Sequence, residues 1–89
     1  MNRSQFEKEL LEMGFTPMSQ SNGKDTYSLM GGTLFGRRNR GTFVTTSAEG
    51  YTINHKTGEG MNFGRSIKWE NAPKSAAEAI QSLFKTYGL

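Results

Sequence analysis

Gly36-Arg37-Arg38-Asn39-Arg40-Gly41 concentrates more chemistry than any other stretch of the chain. Three guanidinium groups in four residues offer planar forks that match pairs of phosphate or carboxylate oxygens, and the flanking glycines keep the backbone open. Lys56, Arg65 and Lys68 extend this character. Across residues 34–68 six cations face only Glu49 and Glu59, a net +4 against +3 for the whole chain. An anionic partner is therefore expected to meet the middle of the protein. The phosphates of RNA or DNA are the natural target of such a run, and bonds to them position a protein without reading sequence. An acidic protein surface would engage the same groups, because arginine and aromatic anchors dominate interface energies. A solvated hairpin tip would carry similar charges without any partner. The candidate contact residues are Arg37, Arg38, Asn39 and Arg40, joined by Lys56, Lys68 and Arg65.

Other chemistries have less support. The chain has no cysteine and one histidine, which removes disulfides, thiol nucleophiles, iron–sulfur clusters and the common zinc arrangements. No metal or cofactor is expected. His55 alternates with Tyr51 and Ile53, and Glu49 and Glu59 flank the same segment. A nuclease-like combination of His55, Arg65 and Tyr51 is the only catalytic arrangement the residues offer, and acid–base work needs partners that orient the ring. Without a catalytic triad or paired carboxylates, the chain reads as non-enzymatic. Gly31 and Gly36 have the spacing of the glycines in a phosphate-binding P-loop. However, Arg37 and Arg38 stand where that loop needs Lys and Ser or Thr, and a turn rather than a helix should follow.

The elements that must position these residues follow from hydrophobic period. Ser4-Gln5-Phe6-Glu7 has capping-box spacing, and Phe6, Leu10 and Met13 recur at helical intervals with Glu7, Lys8, Glu9 and Glu12 on the other faces. Gly14 and Pro17 should end this helix. From Lys24 to Trp69 the period becomes two: Tyr27 and Leu29, then Phe43 within Thr42 to Thr46, then Tyr51, Ile53 and His55, then Met61 to Trp69. Turn-forming residues separate these runs, as at Ser21-Asn22-Gly23 and Lys56-Thr57-Gly58-Glu59-Gly60. Leu34-Phe35 either adds a short strand paired with Phe43-Val44 across the arginine turn or belongs to a long loop. Arg65 shares a parity with Phe63, Ile67 and Trp69, and Lys68 has the other, so a bulge at Gly64 resets the register or Arg65 lies at the core margin with its head outside. A second helix starts at Ser75-Ala76-Ala77-Glu78, aligns Ala76, Ile80, Leu83 and Tyr87 on one apolar stripe with Phe84 adjoining, and leaves at Gly88.

These elements predict one α+β domain over residues 1–89, α-β-β-β(-β)-α, with both helices on one face of an antiparallel sheet. Phe6, Leu10, Met13, Leu29, Phe43, Ile53, Phe63, Ile67, Trp69, Ile80, Leu83 and Phe84 are expected to share its core. No apolar run has the roughly 20 residues of a membrane span, and the N-terminus lacks the apolar stretch of a signal peptide, so a soluble cytoplasmic protein is expected.

Two resemblances accompany this reading. Leu10-Leu11-Glu12-Met13-Gly14-Phe15 looks like the Met-Gly-Phe loop of ubiquitin-associated domains, but those are three-helix bundles and strand-period sequence follows here. The order of helix, glycine-phenylalanine exit, strands and a closing helix over Leu83 to Leu89 resembles HicA-type toxins and double-stranded-RNA-binding domains. The catalytic histidine of the toxins is missing from Asn22-Gly23-Lys24-Asp25-Thr26-Tyr27, and the lysine-rich start of the RNA-binding domains' second helix is reduced to Lys74. The resemblance implies a fold and a tendency toward nucleic acid. The alternative expectation is a protein-interaction or inhibitor module, of the kind that accessory proteins of phages and mobile elements supply, binding an acidic partner.

Overall fold

The computed structural model describes residues 1–58 and 60–89. The chain runs α1 (Arg3–Glu12), β1 (Thr16–Ser21), β2 (Lys24–Met30), β3 (Thr33–Leu34), β4 (Arg37–Arg38), β5 (Gly41–Thr46), β6 (Gly50–Lys56), β7 (Asn62–Lys68), a 3-10 turn (Trp69–Asn71) and α2 (Ala76–Thr86). Five strands form one antiparallel sheet in the order β1-β2-β5-β6-β7, and β3 and β4 make a separate two-stranded hairpin, here called the flap. The expected α+β class is thus what the chain adopts. Both helices lie over the face carrying Tyr27, Val44, Tyr51 and Ile53.

The first helix is capped from a position closer to the N-terminus than Ser4: the Asn2 side chain accepts the Gln5 amide at 2.9 Å, and Ser4 is exposed inside the helix. Asn is at least as good a cap as Ser, and starting at Arg3 lets that guanidinium reach Glu7, Asp25 and the Gly23 carbonyl. Gly14 ends the helix at φ +99°, a left-handed conformation that costs glycine nothing, and the Phe15 amide returns to the Leu10 carbonyl. At the second helix the expected cap holds, with the Ser75 hydroxyl accepting the Glu78 amide. A further cap arrives from outside: Glu9 of α1 accepts the Ala76 amide at 2.7 Å, so a residue expected on a solvated face joins the two helices.

Thr16–Ser21 forms a strand that the hydrophobic period does not announce. It is exposed throughout and carries no apolar alternation; its pairing comes from the Asn22-Gly23 turn, whose two residues at positive φ are what a two-residue hairpin requires. Gly50 shows a different constraint, since a Cβ there would stand 2.0 Å from the Ile67 carbonyl oxygen.

Most of the expected core is buried or packs against it, including Phe6, Leu10, Ile53, Ile80, Leu83 and Phe84. Phe43 and Phe63 are the exceptions. Phe63 meets Tyr87, itself exposed at the end of α2, with 5.0 Å between ring centroids. Phe43 and Val44 are neighbours on β5, so they point to opposite faces, and Val44 takes the interior together with Thr42 and Thr46. The competing apolar parity lost because both threonine hydroxyls find partners inside, Thr42 on Asn39 and Thr46 on Glu7. Phe15, Leu34 and Ala79 complete the core. Trp69 packs edge-on against Phe6, its ring nitrogen donating to the Ser47 carbonyl, and so serves the interior rather than an exposed stacking role.

Candidate nucleic-acid interface

The arginine segment is the second strand of the flap and the loop behind it. Leu34 and Phe35 do not pair with Phe43-Val44; Leu34 pairs with Arg37, and Thr33 with Arg38, around a Phe35-Gly36 turn. β5 is already taken by β2 on that side, which leaves the segment to fold back on itself. Phe35 sits at φ +52°, a region bulky residues avoid, and its ring meets Phe84 of α2 edge-on at 6.2 Å. Leu34 is buried beneath the flap. The flap is thus pinned to the domain at its tip and along one side.

Its root is pinned by Asn39. Sequence reasoning placed Asn39 among the contact residues, and the structure removes it from the surface: 2% of it is exposed. Its amide nitrogen donates to the Leu29 and Gly31 carbonyls at 2.9 and 3.0 Å, its amide oxygen accepts from Thr42 Oγ1 at 2.8 Å, and Thr42 Oγ1 lies 2.9 Å from His55 Nδ1. With the Thr42 proton given to Asn39, the hydrogen bond requires His55 Nδ1 to be the donor. The chain of donors therefore runs in one direction from the core to the flap root. His55 is buried under Phe84, with 4.7 Å between ring centroids, and burial pushes its pKa below the usual 6.5. Arg65 and Tyr51, its proposed nuclease partners, occupy β7 and the Phe6 stack instead, and Glu59 lies outside the described residues.

The predicted cations separate into groups. Arg37 shares the Leu34 side of the flap and lines a groove with Phe35, Phe84 and Lys85 at the C-terminal end of α2. Arg38 takes the opposite side, paired with Thr33. Arg40 runs toward the β6–β7 turn, where a Cβ on Gly58 would touch its Cγ at 3.9 Å. Lys56 pairs with Gly41 at this same end of the sheet. Four of the predicted cations therefore lie at one end of the sheet, though on different sides of it, and Lys85, which sequence reasoning missed, shares the groove of Arg37; helical spacing gave it no link to the flap.

Arg65 and Lys68 do not belong to this group. β6 and β7 pair without a bulge, so Arg65 lies on the helix-covered side opposite Ile53, its head exposed and donating to Thr86 Oγ1 at 3.0 Å. Lys68 lies on the open face opposite Gly50, at the far end from Lys56. The ion pairs among the described residues both belong to Arg3, which Glu7 and Asp25 hold at the far end of β2 from the flap. Among the described residues no group of acidic and histidine side chains is placed to hold a metal ion, and no helix is long and apolar enough to cross a membrane. No protein-family model matches the chain, and comparisons with curated proteins and with solved structures give no match.

Proposed function

We propose that the protein is a small, non-enzymatic nucleic-acid-binding module that meets phosphates with its flap end. The observation that carries this reading is the placement of Arg37, Arg38, Arg40 and Lys56 at one end of the sheet, with Arg37 and Arg38 on a hairpin fixed to the core by Leu34, Phe35 and Asn39. A charged group held on an anchored backbone loses less freedom on binding than one on a free loop, so the anchoring of the flap favours a contact role over mere solvation. Phosphate contacts of this kind carry no base sequence information.

Replacing Arg37, Arg38 and Arg40 together with Ala removes exposed side chains only, and the melting temperature is expected to stay nearly constant. Binding of mixed RNA and DNA probes at about 50 mM salt should weaken steeply, with a salt slope shallower by roughly one unit for each phosphate left without its arginine. Failure of the wild-type protein to retard any probe under these conditions removes the proposal. Retention of one stoichiometric protein from nuclease-treated lysate, through the same arginines, would transfer these residues to an acidic protein partner.

A further inference from the structure

The face of the sheet away from the helices has a composition that the flap does not account for. Its strand positions carry Lys24, Lys56 and Lys68 and no carboxylate; among the described residues Glu49, from the β5–β6 turn, is the one acidic residue that lines its groove. Lys68 stands beside Gly50 and Lys56 beside Gly41, at opposite ends of β6. At the rise of a strand these ends are about 20 Å apart. No small anion reaches both, whereas a polymer with repeating negative charge does.

Between the lysines the face is lined with hydroxyls that bond one another across strands, Thr26 with Thr45 at 3.1 Å and Thr52 with Ser66 at 2.7 Å. A shallow groove of about 310 Å³ runs here, bounded by Lys24 and Lys68 and lined by Thr45, Thr52 and Ser66. Toward the flap end, Phe43 and the exposed Met30 beside it interrupt this polar surface; Phe43 stands on an inner strand, half-buried on the side where no helix covers it, with Lys56 Nζ 5.2 Å from its ring centroid. An aromatic ring beside a lysine on an otherwise hydroxyl-rich track is the pairing that accepts a base on the ring and its phosphate on the ammonium.

We propose that this face is the track of a single-stranded nucleic acid, with one base stacked on Phe43 and the backbone running from Lys56 toward Lys24 and Lys68. The proposal rests on the nucleic-acid reading above and names its ligand class. A duplex keeps its base planes stacked inside and cannot offer one to Phe43, so the track selects unpaired strands. The arriving base displaces Lys56 Nζ from above the ring onto the adjacent phosphate.

The test is fluorescence anisotropy with labelled RNA and DNA single strands of about 12 nucleotides, the matching duplexes, and inorganic polyphosphate as competitor. Single strands should bind about ten-fold or more tighter than duplexes. Phe43→Leu, which keeps the apolar cover but loses the aromatic face, should weaken single-strand binding about ten-fold at unchanged salt slope, and Phe43→Tyr should restore it. Lys24→Gln with Lys68→Gln should lower the single-strand salt slope by about 1.4. Duplexes bound as tightly as single strands, polyphosphate competing equally per charge, or Phe43→Leu binding like wild type while Phe43→Tyr gives no gain would each overturn the track and leave the nucleic-acid reading standing. Absence of binding to every nucleic-acid probe would overturn both.

Discussion

The two faces of the sheet are made by the same strands and partly by the same residue type, yet threonine does different work on each. Thr42 and Thr46 point under the helices, fully buried, and their hydroxyls are committed to Asn39 and His55 on one strand end and to Glu7 on the other. Thr45 and Thr52 point to the open side, where their partners are Thr26 and Ser66 and water can replace either bond. A buried hydroxyl must be paired, so on the covered side each threonine specifies which loop or helix sits above it. On the open side the same group specifies nothing about the fold and remains available to a ligand. The covered face builds the protein, and the open face presents it.

Substitutions that remove core volume should separate the faces most sharply. Leu83→Ala empties a fully buried site and should cost about 2–5 kcal/mol, a large share of the stability of a domain this small, as read by denaturant unfolding. A cost equal to that of open-face variants would break the division. Thr42→Val keeps shape but leaves Asn39 Oδ1 and His55 Nδ1 without their shared partner, and should cost about 1–3 kcal/mol. Its effect should concentrate at the flap root, where hydrogen exchange of the Asn39 amide, bonded to the Gly32 carbonyl, should accelerate.

His55 makes the covered face sensitive to acid. Its pKa in the folded state lies below the usual 6.5 because burial disfavours the charged ring. As pH falls the unfolded chain takes up this proton first, so the His55 contribution is complete above about 6.5 and declines from there toward the lower folded pKa. Melting temperatures measured from about pH 8 to about pH 5 should show this decline, and His55→Phe should flatten it. A wild-type profile that matches the His55→Phe profile through this window would remove the assignment.

Glu9 gives a smaller effect between the helices. Its pKa is lowered chiefly by the Ala76 amide, and next by the Gln5 side chain. Glu9→Ala should cost about 1 kcal/mol through loss of a helix cap, where its place on a solvated helix face predicts no more than about 0.5 kcal/mol. That cost should fade as pH falls below 4.5 and the wild-type carboxylate is protonated. Smallest of all, Thr45→Val on the open face should change stability by no more than about 0.5 kcal/mol. A larger change would show that the hydroxyl pairs of the open side are structural after all.

Much of the covered face was legible from period alone. Phe6 and Leu10 at helical spacing, Tyr51 and Ile53 at strand spacing, and the Ser75 cap all specify their environment within a few residues, because side-chain direction repeats locally. β1 was not legible, since Thr16–Ser21 has no apolar alternation and exists as a strand only because Asn22-Gly23 turns it onto β2. In the candidate site, the arginines could be read as an exposed basic cluster, but their grouping with Lys56 and Lys85 could not, because it depends on where a hairpin and a helix end dock.

Charge distribution, the α+β class, the two apolar helix stripes and the basic middle segment were determined by the sequence itself, for each depends on composition or on spacings shorter than about a dozen residues. Tertiary structure alone decided that Val44 rather than Phe43 enters the core, that Asn39 is an internal clip, that no bulge at Gly64 resets the register around Arg65 and that Lys24 shares a groove with Lys68. Each of these outcomes turns on a contact between residues far apart in the chain. Neighbouring positions on a strand are locally interchangeable, and only the hydrogen-bond partners waiting on the other side determine which of them goes in.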